Sequence, residues 1–158
     1  MKRTRVNVQS QAGADHRSLG MALEFMRLLW AVAHGLESAS KRMHRRLGVT
    51  GPQRLVLRII GHYGRVSAGE LSQVLHVHPS SLTGVLRRLQ NAGLVQRESD
   101  VRDRRRVVLE LTRRGMRLNE QRSGTVEAIV SSVLAEQSKQ RRAGAEALLK
   151  ALAAALAT

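Results

Sequence analysis

The chain has 158 residues, in which 27 lysines and arginines outnumber 12 aspartates and glutamates, for a formal net charge of +15. An excess of this size favours a polyanionic partner, with nucleic acid as the first candidate. The absence of cysteine excludes disulfides, thiolate metal sites and thiol-based redox sensing.

The composition also indicates which kind of nucleic acid the chain binds and in which compartment it acts. Phe25, Trp30 and Tyr63 are the only residues of their types, so base stacking, the usual route to single strands, is poorly supported and duplex DNA is favoured. No apolar run approaches the ~20 residues that span a bilayer, and the residues after Met1 are polar rather than an apolar leader. We therefore expect a cytoplasmic protein without a membrane partner, built as one domain with extensions.

The N-terminal part of the chain combines a tail with a long helix. Residues 1–18 are basic and lack a periodic apolar pattern, which predicts a disordered tail. Residues 19–47 carry apolar side chains every three or four positions, which predicts one helix. Leu28 and Trp30 widen its apolar stripe, as expected for a helix that contacts both its own domain and a second subunit. Gly48 suits the left-handed backbone that ends such a helix.

A second helix is predicted after Thr50, because Thr50 and Gln53 form a capping box around Pro52. Arg54 and Arg58 are predicted to face outward. The residues predicted to face the core are Leu55, Val56, Ile59 and Ile60.

Residues 67–90 predict two short helices joined by a tight turn. Ser67 and Glu70 form a capping box at the start of the first helix. Residues 76–78 interrupt the apolar pattern, and Pro79 suits the first turn of the second helix. The apolar residues predicted to face the core are Leu71, Val74, Leu75, Leu82, Val85, Leu86 and Leu89.

The outward face of the second of these helices combines small hydroxyls, a glycine and arginines, without an acid. Short polar side chains can approach base edges in a major groove, and the cations suit guanines or phosphates. The pattern predicts a helix-turn-helix with a DNA recognition helix. The candidate DNA-binding residues are Ser80, Ser81, Thr83, Gly84, Arg87 and Arg88.

A β-hairpin with a charged tip is predicted next. Residues 94–98 and 106–111 show partial period-two alternation, and residues 65–66 are a candidate third strand. A hairpin directly after a recognition helix is typical of a wing, whose cations can reach a minor groove or its phosphates. The alternative is a solvated loop that protects edge strands with charge. The candidate wing residues are Asp100, Arg102, Arg104 and Arg105, with Asp103 and Arg106 beside them.

The C-terminal part predicts helices that have little to bury against within so small a domain. Thr112 is predicted to cap a long helix, with Gly115 and Gly124 as weak points, and residues 136–142 form a polar break. The final helix is rich in alanine and leucine, and its expected partner is a second copy of the chain. Its candidate dimerisation residues are Leu148, Leu149, Leu152 and Leu156.

The order of these elements resembles the MarR family of bacterial transcription regulators over residues 20–157. The motifs that carry the resemblance are 47–53, 71–89, 93–95, the wing at 100–105, and 111–115. The resemblance implies a homodimer joined through its terminal helices, with one recognition helix in each half-site of a short palindrome and a wing in each flanking minor groove. It also implies repression relieved by a small amphipathic or phenolic ligand.

The predicted fold is therefore mainly α, an α+β winged helix. Residues 48–111 are predicted to form the winged helix-turn-helix DNA-binding domain, and residues 19–47 and 112–158 the dimerisation region. The predicted function is sequence-specific transcriptional regulation, as a repressor in the first instance. The alternative is a nonspecific architectural DNA-binding protein, for which the net charge of +15 would suffice.

Other kinds of site have less support in the sequence. The chain lacks the cysteine that the peroxide-sensing branch of the family oxidises, and its candidates for a ligand pocket are Phe25, Trp30 and His34. Trp30, with His34 one turn further on, is the best of these candidates, but a tryptophan at a dimer interface is more often an anchor than part of a pocket. The histidines form no visible zinc cluster, so no metal or cofactor is predicted, and His78 is expected to contact a phosphate or to cap a helix. No nucleophile elbow, phosphate loop or pair of catalytic carboxylates suggests an enzyme.

Overall fold

We describe residues 20–100 and 106–156 in a computed structural model of the chain. The chain divides into two compact units, Met1–Ala33 and His34–Thr158, and the boundary falls inside the first helix. The elements of the described part are α1 Met21–Leu47, α2 Gly51–Tyr63, β1 Val66–Ser67, α3 Ala68–Leu75, α4 Pro79–Asn91, β2 Val95–Ser99, β3 Val107–Leu111, α5 Arg113–Glu120, α6 Val126–Ala135 and α7 Lys139–Leu156.

A three-stranded antiparallel sheet of order β1-β3-β2 closes the domain beside the helices. In the β2–β3 hairpin, Val95 pairs with Leu111 and Ser99 pairs with Val107. Strand β1 adds two residues on the other side of β3, with Val66 opposite Leu109. The predicted hairpin and the predicted third strand are both confirmed, and with α2, α3 and α4 they form a winged helix.

The core of this winged helix lies among α2, α3, α4 and the sheet. Leu57, Ile60, Leu71 and Leu89 are completely inaccessible to solvent. They pack with the apolar side of α4 and with the first residues of the hairpin. The buried cluster is Val49, Val56, Leu57, Ile60, Val66, Leu71, Leu82, Leu86, Leu89, Leu94, Val95 and Leu109.

Local hydrogen bonds place the ends of these helices where the sequence predicts them. The backbone N–H of Ser67 donates to Glu70 Oε2 over 2.8 Å and the N–H of Glu70 donates to Ser67 Oγ over 3.2 Å, which completes the predicted capping box. At α2, the N–H of Thr50 donates to Gln53 Oε1 over 2.8 Å. Gly48 ends α1 with a φ of 74°, in the left-handed region that favours glycine.

Helix α2 corrects two of the predicted orientations. Arg54 was expected to face outward, yet it is 1% exposed, whereas Leu55, expected in the core, is 53% exposed. The buried positions follow the face that runs through Val56, Leu57 and Ile60, and at 100° per residue Arg54 shares that face while Leu55 lies opposite. Arg54 tolerates burial because polar acceptors from later in the chain surround its guanidinium.

The single long helix predicted from Thr112 onward is wrong, because the chain breaks it at residues 121–125. Helix α5 ends at Glu120, Gly124 adopts a φ of 65°, and Thr125 caps α6 by accepting from the N–H of Ala128 over 3.3 Å. The predicted polar break is also shorter than expected, since α7 already begins at Lys139. The separate helices α6 and α7 therefore follow α5, and neither contains a buried residue among those described.

Candidate DNA-binding surface

Helix α4 is fixed in the domain by its apolar side and by its first turn. Leu82, Leu86 and Leu89 are 3%, 2% and 0% exposed, so the opposite side must face solvent. The turn before α4 contains His76 in the left-handed conformation, with a φ of 51°. His78 then caps α4, and its Nδ1 lies 3.3 Å from the backbone nitrogen of Ser80 and 2.7 Å from Ser80 Oγ. The cap, one of the two roles expected for His78, is confirmed.

The structure brings all six candidate residues of α4 to its solvent side. Ser80, Ser81, Thr83, Arg87 and Arg88 are exposed, and Gly84 between them is partly exposed. Thr83 Oγ1 donates to the carbonyl of Pro79 over 3.1 Å, which leaves its methyl group and an oxygen lone pair free of that bond. A Cβ built on Gly84 would meet only the Nη2 atom of Arg88, at 4.0 Å. The face thus presents small groups, an open backbone position and two cations.

The hairpin follows α4 closely, as a wing should. The N–H of Asp100 donates to the carbonyl of Arg106 over 2.8 Å and continues the β2–β3 pairing beyond the strands. The candidate wing residues Arg102, Arg104 and Arg105 lie outside the described residues, so the structure places only the base of the wing. That base lies at the end of the hairpin remote from the core.

An ion pair that the sequence did not reveal ties the base of the wing to α3. Arg106 Nη2 lies 3.0 Å from Glu70 Oε1 across 36 positions of sequence. Hydrogen bonds from Ser67 and then from Arg106 hold the pKa of Glu70 below its ordinary value. Arg65 Nη2 donates to the carbonyl of Ser99 over 3.2 Å. Arg106, counted among the wing cations from sequence, therefore also has an intramolecular role in positioning the hairpin.

The three candidate pocket residues lie on α1. Phe25 is partly exposed, Trp30 is 79% exposed and His34 is exposed. They line neither of two surface clefts found in the described chain. One cleft, of about 470 Å³, has an apolar floor that includes Leu47 and Leu94 and a rim of three cations, Arg46, Arg114 and Arg117. The other, of about 280 Å³, lies between Tyr63 and the start of α3.

Within residues 20–100 and 106–156, no three histidine or acidic side chains come close enough together to hold a metal ion. No helix in these ranges combines the length and the apolar character needed to cross a membrane.

A buried three-helix core, an exposed polar helix after a tight turn, and a hairpin directly behind it define a winged helix-turn-helix of the DNA-binding class. The family model named MarR family matches residues 49–107, which run from the start of α2 into β3. Over these residues the chain is similar to the MarR family.

Individual proteins are similar to this chain over most of its length. The organic hydroperoxide resistance transcriptional regulator of Bacillus subtilis is 28% identical over 141 residues, which cover 87% of this chain and 94% of the relative. A crystal structure of a MepR like protein complexed with pseudoligands is 26% identical, with a TM-score of 0.72, over 88% of this chain and 98% of that one. A mutant MarR from E. coli complexed with operator DNA is 26% identical, with a TM-score of 0.66, over 83% and 94%.

Proposed function

We propose that this chain is a sequence-specific transcriptional regulator that acts as a repressor, binding a palindromic operator as a homodimer in the cytoplasm. The observation that carries the proposal is the solvent face of α4, where hydroxyls and arginines surround an open glycine while the apolar side is locked in the core. Two similar proteins support the same role, since the one from Bacillus subtilis is a transcriptional regulator and the mutant MarR from E. coli is complexed with operator DNA.

Each group on α4 has a distinct expected task. Ser80, Ser81 and Thr83 lie in the first half of the helix and are short enough to contact base edges. Arg87 and Arg88 lie in the second half, where their longer side chains reach a guanine or the phosphates. A contact to guanine would specify one position in each half-site, whereas a contact to phosphate would strengthen binding to every sequence.

The wing supplies the second proposed contact. Arg102 is proposed to enter the minor groove beside each half-site, with Arg104 and Arg105 close to phosphates. A narrow A·T-rich minor groove concentrates negative potential, so the flanks of the operator should prefer A·T. Asp100 is proposed to orient a guanidinium of the tip, because a carboxylate facing phosphates would otherwise repel them.

The homodimer is proposed to form through the terminal helices. In α6 and α7 the apolar side chains remain exposed within one chain, with Ile129 and Val133 at 52% and 56% exposure. Such faces are stable when a second copy covers them. The proposed interface region comprises 19–47 and 112–158, in which Leu148, Leu149, Leu152 and Leu156 follow one another along α7, and residues 48–111 bind DNA. The basic tail 1–18 is proposed to touch phosphates.

Release by a small amphipathic or phenolic ligand completes the proposal. Phe25, Trp30 and His34 are the aromatic candidates on α1, and the cleft rimmed by Arg46, Arg114 and Arg117 is a second place for an anionic ligand. Trp30 is the only tryptophan, so its fluorescence reports on α1 alone. A phenolic carboxylate such as salicylate should change that fluorescence and lower DNA affinity if it binds near Trp30. Lower affinity with unchanged fluorescence would favour the cleft.

The experiment that tests the proposal compares two double variants with the same loss of charge. Arg87→Ala/Arg88→Ala changes the face of α4, and Arg141→Ala/Arg142→Ala changes exposed cations in the first turn of α7. We expect the α4 variant to lose preference for a selected duplex over random duplex, while the α7 variant keeps it. A nonspecific architectural protein would instead be displaced by random duplex in proportion to its concentration, and both variants would weaken binding equally.

A further inference from the structure

Arg54 is buried where an arginine is rarely found, in a helix of the hydrophobic core. Its Nε donates to Glu127 Oε1 over 2.7 Å, and its Nη2 lies 2.6 Å from the same oxygen. Its Nη1 donates to the carbonyl of Leu118 over 2.5 Å, and its Nη2 donates to that of Gln121 over 2.5 Å. One side chain of α2 therefore holds both the end of α5 and the start of α6.

The electrostatics of the two helix ends explain why a buried cation is tolerated here. The last carbonyls of α5 lack partners within their helix and lie at the negative end of its dipole, which favours a cation. Glu127 lies in the first turn of α6, where the dipole favours an anion. Burial raises the pKa of Glu127, but the hydrogen bond from Arg54 and the other lowering contacts leave that pKa below its ordinary value. The ion pair is thus intact near neutral pH.

Other side chains hold the same five-residue break from further sides. Arg58 Nη1 donates to the carbonyl of Asn119 over 3.0 Å and to its Oδ1 over 2.9 Å. Arg46 Nη2 donates to the carbonyl of Ser123 over 2.8 Å. Thr125, the cap of α6, is completely inaccessible to solvent. The break is consequently a fixed joint rather than a loose linker, and we call residues 118–127 with Arg54 the junction.

The junction holds the start of α6 against the winged helix, and neither α6 nor α7 has a fully buried residue further along. Helix α7 has 18 residues and is about 27 Å long at 1.5 Å per residue. A tilt of about 10° at the start of a rod that long moves its far end by about 5 Å, which exceeds the ~3.4 Å between base pairs. A small change in the angle at the junction therefore displaces the far end of the helix by more than the distance between neighbouring base pairs of an operator.

We infer that Arg54 is a positioning residue for operator spacing: by holding the junction, it fixes the separation of the two recognition helices and so selects the distance between half-sites. The inference rests on the proposed function, because it requires a homodimer that binds two half-sites. It assigns a role in operator specificity to the pair of buried Arg54 and partly exposed Glu127, neither of which is proposed to contact DNA.

The test measures affinity for a set of duplexes that carry the two selected half-sites at spacings varied one base pair at a time. Arg54→Met keeps an unbranched chain of similar length without charge, and it leaves Glu127 and the carbonyls of Leu118 and Gln121 without this partner, which lowers stability. Glu127→Gln keeps the shape of the partner and removes its charge. Glu110→Gln is the matched control, since it removes the charge of a carboxylate paired with Arg65, outside both the junction and the proposed dimer interface.

In the wild type and in Glu110→Gln, one spacing should bind best. In Arg54→Met and Glu127→Gln, the ratio of affinities between that spacing and its neighbours should fall toward one or the optimum should move, while the preferred half-site sequence stays the same. Folded variants that keep the wild-type spacing profile would overturn the inference, and Glu127→Gln decides the matter should Arg54→Met fail to fold. A wild type without any half-site preference would instead overturn the proposed function.

Discussion

Replacing Gly84 with alanine should push protein stability and DNA binding in opposite directions. Gly84 lies inside α4, where glycine costs about 1 kcal/mol relative to alanine because its backbone is freer in the unfolded chain. The added Cβ would meet nothing closer than Arg88 Nη2, at 4.0 Å, so no clash offsets the gain. For a chain of 158 residues, about 1 kcal/mol corresponds to a rise of about 2–4 °C in Tm.

The effect on DNA should be a loss, because the open position on the solvent face of α4 lets the backbone approach the bases. A methyl group in that space should cost about as much as one mismatched base pair, about 1–3 kcal/mol, which is roughly 5- to 150-fold in Kd. Thermal unfolding and titration of a fluorescent duplex that carries the selected site measure the two quantities on the same preparation.

Gly69→Ala is the matched control, since Gly69 lies in α3, outside the proposed dimer interface, and its added Cβ would meet nothing closer than Ser67 Oγ, at 4.0 Å. It should raise Tm by a similar amount and leave Kd unchanged. If Gly84→Ala binds as tightly as the wild type, the backbone of α4 does not approach the bases at this position. If it lowers Tm, the space seen beside Gly84 is not available.

Three further predictions concern the dimer, the wing and the junction. Deleting residues 143–158 should convert a dimer into monomer or aggregate, and a soluble dimer seen by light scattering would contradict the proposed interface. Arg102→Ala should reduce the salt dependence of DNA binding by about one unit of slope and should weaken the preference for A·T base pairs in the operator flanks. If the variant keeps the wild-type slope and the wild-type flank preference, the tip of the wing is only a solvated loop. The pKa of Glu127 is lower in the folded chain than its ordinary value of 4.5. The ionised carboxylate therefore stabilises the fold at pH values above 4.5, and this stability is lost as the pH falls through the folded-state pKa. Glu127→Gln should therefore show a shallower loss of unfolding free energy in acid denaturation, and an unchanged slope would contradict the pairing with Arg54.

Short sequence patterns predicted correctly those parts of the fold that depend on interactions between residues close together in the chain. The capping box at Ser67 and Glu70, the left-handed Gly48, the turn before Pro79 and the alternation of the hairpin each depend on residues a few positions apart. The six candidate residues of α4 reached solvent together because three buried leucines fix the rotation of that helix. Periodicity is sufficient for such assignments.

The errors came from contacts between residues far apart in sequence. Arg54 meets Glu127 across 73 positions, and without that partner a cation on an amphipathic helix is best placed outward. The sequence around Glu70 indicated its capping role, but it did not indicate the ion pair with Arg106, which lies 36 positions away. Gly124 indicated a weak point in the predicted helix before α6, but the sequence did not show whether the helix would continue or break there. It breaks because Arg46 and Arg54 donate hydrogen bonds to the carbonyl groups that the break exposes.

Selection of bound duplexes from a random pool tests the central claim, that this chain reads a specific operator as a homodimer, most directly. The wild-type protein should enrich one inverted repeat with a single preferred spacing and A·T-rich flanks, and Arg87→Ala/Arg88→Ala should fail to enrich it. Enrichment of no sequence, or of a site without two-fold symmetry, by a well-folded wild-type protein would contradict the account.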